Sequence, residues 1–262
     1  MKIITWNVNG KSKKKIWLEN FMNWLENEKP DIVCLQEIKC INELFPISEF
    51  ESVGYKCQVN GQEKFNGVAT ISKTQASEIT KNFSDVFINE ICLDRVSEAR
   101  LIDIKINKTN VINVYVPSAD KINDEKFNFK IGWLDTLNSY ISSRYSKDED
   151  VLLCGDFNVA FESLDLHNPV RQYGYSDVEI NSLKSLKQWG FIDVFRKHNP
   201  TKKEFTRWSS KKAFENNQGW RIDYIWASES LAKKSFDCKI DYNPWNWIES
   251  SDHVPVVAEF AF

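Results

Sequence analysis

No apolar run in this chain approaches the roughly 20 residues that a membrane-spanning helix requires. Its amino terminus also lacks the long apolar segment that a signal peptide or anchor uses. Paired cysteine spacing is missing too: the 6 cysteines, at positions 34, 40, 57, 92, 154 and 238, form no metal-ligand pattern. Cys34 and Cys154 lie inside apolar runs and read as small buried hydrophobes of a reducing compartment, so a cytosolic protein is expected. With only 9 Gly and 7 Pro, and no cluster of them, nothing marks a linker. Residues 1–262 are therefore expected to form one domain with a sizeable core. Positive charge is not in excess either. A net charge of −3 does not advertise a nucleic-acid binder, although phosphate binding needs a local basic face rather than a basic total.

What the chain does have is a series of apolar runs that end in polar groups. Val151-Leu152-Leu153-Cys154 reads as a strand buried on both faces, and Gly155 frees the backbone for a sharp exit. Asp156 and Asn158 then fall on one side of an extended chain. A carboxylate so placed can take a proton from water or bind a cation, while the amide orients an anionic partner. Taken alone, the segment is equally an ordinary turn, since Gly, Asp and Asn are turn formers.

The same logic recurs along the chain. The opening strand ends in Asn7-Val8-Asn9-Gly10, with both asparagines on one side, and residues 31–37 form a buried strand ending in Glu37. Further strands are expected over residues 67–71, 100–106, 110–117, 219–226 and 256–260. The second of these leaves Asp103 and Lys105 on one face; the third ends near Tyr115 and is closed by Pro117. A helix over 14–28 has one apolar face of Trp17, Phe21, Trp24 and Leu25 and is stopped by Pro30. The lysines at 11 and 13–15, at its start, suit a solvated face better than a phosphate site. Another helix spans 124–145, with Phe127, Ile131, Leu134, Leu137 and Ile141 at helical spacing, and a third runs from the Ser176/Glu179 capping box to Gly190. Strand, helix and carboxylate-ended strand occur before Glu37 and again before Asp156, a loose rhyme rather than a repeat. Strands outnumber helices without regular alternation. That pattern suits an α/β fold of two sheets packed face to face, helices outside, and a cleft along one edge that collects the strand ends.

Asn7, Glu37, Tyr115, Asp156, Asn158, Asp223, Asp252 and His253 nearly all fall at such ends. Hard oxygen donors, with few histidines and no cysteine cluster, favour magnesium or manganese over zinc. Asp next to His carries little weight as a dipeptide. With a third carboxylate to orient the imidazole it becomes a unit for phosphate-ester chemistry.

These residues also carry a resemblance. Asn7-Val8-Asn9-Gly10, Leu35-Gln36-Glu37-Ile38-Lys39, Gly67-Val68-Ala69, Tyr115-Val116-Pro117, Gly155-Asp156-Phe157-Asn158, Gly219-Trp220-Arg221-Ile222-Asp223-Tyr224 and Ser251-Asp252-His253-Val254-Pro255 resemble, in order, the motifs of the exonuclease III family of abasic-site endonucleases. The match runs from residue 2 to about 260. It implies a four-layered α/β sandwich and Mg²⁺-dependent cleavage (Mn²⁺ as a substitute) on the 5′ side of abasic sites in double-stranded DNA. Trimming of 3′ ends or removal of 3′ phosphates is a further activity of the family. No membrane partner is expected, and a monomer is the default with the oligomeric state left open by the sequence. Carried over by position, Glu37 would hold the metal with Asn7 and Asp252 nearby, and Asp156 and Asn158 beside it. Asp156 would activate water and Asn158 orient it; His253, held by Asp223, would bind the scissile phosphate with Tyr115 close by. Substrate contacts would come from Lys39, Asn168, Arg207, Trp208, Trp220 and Ile222.

The chain departs from the family where Arg207 replaces an aromatic, Ser210 a frequent tyrosine, Ser118 an asparagine and Lys11-Ser12 a Leu-Arg pair. None of these touches the catalytic set; they bear on substrate preference. Two other readings compete: a nucleic-acid-binding regulator of the same fold that has lost activity, and a phosphodiesterase of the superfamily with another substrate. Survival of Glu37, Asp156, Asn158, Asp252 and His253 favours an enzyme over the first.

Overall fold

The apolar runs become strands in a computed structural model, which describes residues 1–83, 95 and 98–262. Cys92 lies outside the described residues. In chain order the strands are β1 (Lys2–Asn7), β2 (Ile32–Gln36), β3 (Lys56–Asn60), β4 (Val68–Ser72), β5 (Glu78–Lys81), β6 (Leu101–Ile106), β7 (Thr109–Tyr115), β8 (Asp150–Asp156), β9 (Phe191–Asp193), β10 (Asp223–Ser228), β11 (Ser235–Ile240) and β12 (Val256–Phe260). The longer helices are α1 (Lys15–Glu28), α2 (Ile47–Ser52), α3 (Glu125–Arg144) and α4 (Asp177–Trp189).

The strands form two six-stranded sheets, ordered β11-β12-β1-β2-β4-β3 and β5-β6-β7-β8-β10-β9. Each has a central parallel pair, β1 with β2 and β7 with β8, and its other pairings are antiparallel. Parallel neighbours need a long crossover, and α1 and α3 provide it. Because side chains alternate along a strand, each strand feeds two layers. Ile3, Cys34 and Val68 of the first sheet meet Ile104, Val111, Leu152 and Cys154 of the second in a central core. Their neighbours face outward: Ile4, Trp6 and Leu35 pack under α1 and α2, and Ile112, Leu153 and Trp226 under α3 and α4. Each fully buried Leu, Ile, Val or Phe contributes roughly 1.5–3 kcal/mol, so this four-layered stack carries most of the stability. No helix among the described residues is long and apolar enough to cross a membrane.

Helix ends follow their local chemistry. The apolar face of α1 is buried, and the helix stops at Lys29 (φ 49°), where the following Pro30 disfavours right-handed helix. Asp124 caps α3 through Phe127 N–H at 2.8 Å, and Ser176 and Glu179 cap α4 reciprocally.

Two expectations shift. The strand expected over 219–226 begins only at Asp223, because Arg221 turns inward onto Asp165 (2.8 Å) and Asp193 (2.7 Å). Trp220 is left with isolated bridges to Leu166 and Arg207. Asp103, on the polar face of β6, is buried rather than solvated: α3 covers it, and the hydroxyls of Tyr140 and Tyr145 donate to it. Between the sheets lies a polar bridge. Gln36 Nε2 donates to Asn113 Oδ1 (2.8 Å) and Thr5 Oγ1 (2.9 Å), while Asn113 Nδ2 donates to the carbonyl of Ala69 (3.0 Å). These amide bonds across the buried interface resist sliding of one sheet on the other.

Candidate active site

Strands β1 and β2 end side by side at Asn7 and Gln36, and β7 and β8 at Tyr115 and Asp156. Running the other way, β10 starts with Asp223 directly opposite Asp156. The sandwich thus gathers polar ends from both sheets at one edge. The chain leaves that edge through non-glycine residues with positive φ: Asn9 (43°), Glu37 (51°), Lys39 (50°) and Asn158 (51°). Asparagine tolerates this region; for Glu37 and Lys39 it costs roughly 1–2 kcal/mol each. Backbone bonds hold the Glu37 turn in place, Gly10 N–H to Glu37 O (2.7 Å), Ile38 N–H to Gly67 O (3.1 Å) and Lys39 N–H to Asn66 O (3.0 Å).

Asn7 joins the two halves. Its Nδ2 donates to Glu37 Oε1 and to Asp156 Oδ2, both at 2.8 Å. The second oxygen of Asp156 accepts Asn158 N–H at 2.8 Å. His253 Nδ1 pairs with Asp223 Oδ2 at 2.9 Å, and its Nε2 lies 4.0 Å from Asp156 Oδ2. Trp6, clustered with Trp17 and Trp24, donates its indole N–H to the carbonyl of His253 (2.9 Å), anchoring the loop to the aromatic core. Ser251 Oγ bonds both Asn7 O (2.7 Å) and His253 N–H (3.1 Å). At the rim, Asn9 Nδ2 donates to Asp252 Oδ1 (2.7 Å), and Lys39 Nζ contacts Asn9 Oδ1 (2.5 Å) and Glu37 Oε2 (2.6 Å). Tyr115 lies in register with Asp156 under the Arg100 guanidinium, 4.9 Å from its ring centre.

Burial, then the charge of Asp223, pushes the Asp156 carboxyl up to about 7. For His253 burial opposes the charged form, but the adjacent Asp223 outweighs it and raises the imidazole to about 10. Glu37 and Asp252 go the other way. Burial disfavours their charge, yet Asn7 and Lys39 hold Glu37 below the ordinary carboxylate value, and His253, Asn9 and Arg207 do so for Asp252. Burial and the charges of Glu37 and Asp156 keep the Tyr115 phenol neutral. The edge therefore offers one carboxylate that exchanges a proton near neutrality, two that stay anionic, and a fixed imidazolium.

This donor set fits a hard divalent cation. The Glu37 and Asp156 carboxylates converge on one amide, each 2.8 Å from Asn7 Nδ2. Asp156 and Asp223 lie in a cluster with His253 within 4.8 Å, where the protonated imidazole supplies charge and no ligand atom, and Asp223 Oδ1 is buried without a partner among the described residues. Beside it, the ammonium of Lys39 sits between Glu37 and Asn9, so the anionic rim already holds one cation. Asn7, expected beside the metal, lies between the Glu37 and Asp156 carboxylates. It turns its Nδ2 to both carboxylates, and its oxygen accepts Asn9 N–H at 2.9 Å.

The expected substrate contacts divide. The Arg207 backbone bridges to both Trp220 and His253, and its guanidinium, 39% exposed, reaches Asp252 Oδ2 at 3.6 Å. Trp220 is half-buried, its ring 6.3 Å from that of Tyr173, and Ile222 lies behind it among Leu166, Tyr175 and Ile180. Asn168 is exposed on the neighbouring loop. Lys39 is engaged by Glu37 and Asn9. Trp208 is a correction: at 1% exposure its ring packs against Phe214 and Trp245, so it supports the pocket loop from within the core instead of lining a wall. Residues not singled out as site groups also belong here: Asn9, Ser251, and a buried Lys130–Glu179 pair beneath Asn158. Asn9 shares its i, i+2 side with Asn7, and Lys130 is a charge within the apolar stripe of α3; both signals were in the sequence.

Residues 4–253 match the model of the Endonuclease/Exonuclease/phosphatase family. Exodeoxyribonuclease III of Haemophilus influenzae is 31% identical over 272 residues, covering 99% of this chain and 100% of the relative. Among solved structures, an AP endonuclease from Archaeoglobus fulgidus superposes with a TM-score of 0.91 at 34% identity, covering 100% of both chains. A 3′ phosphatase from Neisseria bound to a product DNA hairpin does so at 0.89 and 29%, again over 100% of both. With its fold, its edge constellation and its full length aligned to these proteins, the chain belongs to the endonuclease/exonuclease/phosphatase family, in its exonuclease III branch.

Proposed function

We propose that this protein is a Mg²⁺-dependent DNA-repair nuclease that hydrolyses the phosphodiester on the 5′ side of abasic sites in duplex DNA. The observation that carries this reading is Asp156. It is buried, lifted to about 7, and wedged between the Asn7 amide and the His253–Asp223 pair. A carboxylate with that proton affinity can accept a proton from water at neutral pH, as hydrolysis by direct water attack requires. Asn158, whose backbone N–H grips Asp156, orients the water, while the imidazolium of His253 and the neutral phenol of Tyr115 present donors to the phosphate oxygens. Glu37 and Asp252, with Asp156 and Asn158 beside them, would hold the cation, which when bound supplies positive charge against the charge developing on phosphorus. The half-buried Trp220 would form the apolar side of the sugar pocket, with Ile222 packed behind it.

Processing of 3′ ends is a second activity, favoured by Arg207. Its guanidinium stands at the pocket edge, 3.6 Å from Asp252 Oδ2 and 39% exposed, within reach of a terminal phosphate, and the Neisseria structure is that of a 3′ phosphatase. End-labelled duplexes test both readings: one intact, one with a single abasic site, one ending in a 3′ phosphate, each in Mg²⁺ and in chelator. Incision at the abasic site in Mg²⁺ alone is expected; a duplex cut equally well without the lesion, or in chelator, refutes the proposal.

A further inference from the structure

Beneath Asn158 lies an ion pair that the proposed reaction leaves unused. Lys130 of α3 and Glu179 of α4 are 1% and 0% exposed, with Nζ and Oε1 2.5 Å apart. The lysine also donates to the backbone carbonyl of Asn158 at 2.7 Å. Asn158 has a left-handed backbone, its N–H is committed to Asp156 and its side-chain amide to Val116 O (2.9 Å). Lys130 therefore fastens the remaining end of the residue that faces Asp156. Glu179 grips the other side. Its Oε1 accepts Gly174 N–H at 3.0 Å, and its Oε2 accepts the N–H (3.0 Å) and hydroxyl (2.7 Å) of Ser176. Gly174, at φ 74°, lies so close to the pocket that an added Cβ would stand 2.6 Å from Trp220 Cζ3 and 3.3 Å from Asn158 O. Its own carbonyl takes Ala160 N–H at 2.7 Å.

Helix capping does not account for this. The box needs only Oε2 and Ser176, whereas Oε1 is turned to Lys130 and Gly174. Stability does not either, because a buried ion pair is often no better than well-packed apolar side chains of the same volume. What an apolar residue at 130 could not do is bond Asn158 O. We infer that Lys130, locked by Glu179, is a positioning residue that couples the Asn158 turn to the Gly174 loop behind Trp220. Water orientation at Asp156 and the wall that discriminates the base-less sugar are thereby set as one unit. This inference rests on the abasic-site reading above and names two specificity determinants for it.

The test compares Lys130→Met and the double variant Lys130→Met/Glu179→Gln with the wild-type protein in two ways. In steady-state cleavage, kcat on the abasic duplex should fall roughly tenfold or more, toward the ~10²-fold that an ångström of misplacement costs. Preference for abasic over intact duplex should fall with it. In amide hydrogen exchange of the protein alone, residues 158–160 and 174–176 should lose protection together while β8 and β10 keep theirs. Glu179→Gln is nearly isosteric and carries the same comparison, with smaller losses, if the methionine variant does not fold. A lowered Tm with kcat and abasic preference at wild-type values would make the pair a fold element only and overturn the inference. A wild-type protein that cuts no abasic duplex would overturn the cleavage reading instead; the exchange result, which needs no substrate, then refutes the coupling if the two segments fail to loosen together.

Discussion

In the first sheet β12, β1, β2 and β4 lie side by side; in the second, β6, β7, β8 and β10 occupy the same places in the same order, with α1 and α3 as equivalent crossovers. The registers that close the two parallel pairs are nevertheless filled differently. The first sheet has Asn7, Gln36 and Val68 across its strands, the second Tyr115, Asp156 and Asp223. Charge reaches the site from the first sheet only through loops beyond the strand ends, as Glu37, Asp252 and His253. The consequence is a split in proton affinity. Asp156 sits on a central ladder strand at 1% exposure, and that burial, with a second carboxylate opposite, lifts it to about 7. Loop-borne Glu37 and Asp252 gather side-chain donors and stay anionic. One residue type acquires two proton affinities according to where the backbone stops being a ladder.

Replacing the strand-borne acid should give the largest effect. Asp156→Asn is expected to lower kcat by about 10²–10⁴-fold, the range of a general base, while binding to an abasic duplex survives. Turnover above about a tenth of wild type would remove Asp156 from that role. His253→Ala and Asp223→Ala should each cost heavily but combine less than additively in a double-mutant cycle, since Asp223 acts through the imidazole. Independent losses would break the pair. On the loop side, Glu37→Gln should shift the Mg²⁺ titration to higher concentration more than it lowers kcat at saturating metal, because a neutral amide replaces a hard anionic ligand. An unchanged titration would place the cation nearer Asp156 and Asp223.

The same contrast has a pH signature in chelator. The folded protein holds the His253 proton more tightly than the unfolded chain, about 10 against 6.5. That stabilisation is complete below about 6.5 and is lost as pH rises through about 10. Asp156, raised from 3.8 to about 7, works in the same direction between those values, as its folded form also binds the extra proton. The unfolding temperature of wild type should thus fall more than that of Asp223→Asn across this span; parallel curves would contradict the assignment. Arg207→Trp should have the smallest effect, a sharper preference for abasic over intact duplex and a salt dependence reduced by about one phosphate contact. With both unchanged, Arg207 would be only a rim residue paired to Asp252.

The sequence was most informative where local rules and the core agree. The α1 stripe, the Ser176/Glu179 box and the runs around Leu35 and Leu153 appear as read, because apolar periodicity and capping are local and both sheets bury such runs. It was less informative where a side chain's partner comes from far along the chain. Trp208 and Trp220 are both tryptophans beside the same loop, yet one packs against Trp245 and the other against Tyr173. Asp103 was read as one of a polar pair on β6, and only α3, arriving from residue 125 onward, buries it.

By itself the sequence determined which side chains end the strands and on which face they lie, since alternation along a strand and the turn residues after it are properties of a few neighbouring residues. Tertiary structure decided what those side chains became. Asn7 meets Asp156 across 149 residues and Asp223 meets His253 across 30, while Trp6 holds the His253 carbonyl across 247. Only when the two sheets close does water leave the strand ends, and it is that desolvation, with Asp223 brought opposite, that turns an ordinary aspartate into a group that titrates near neutrality.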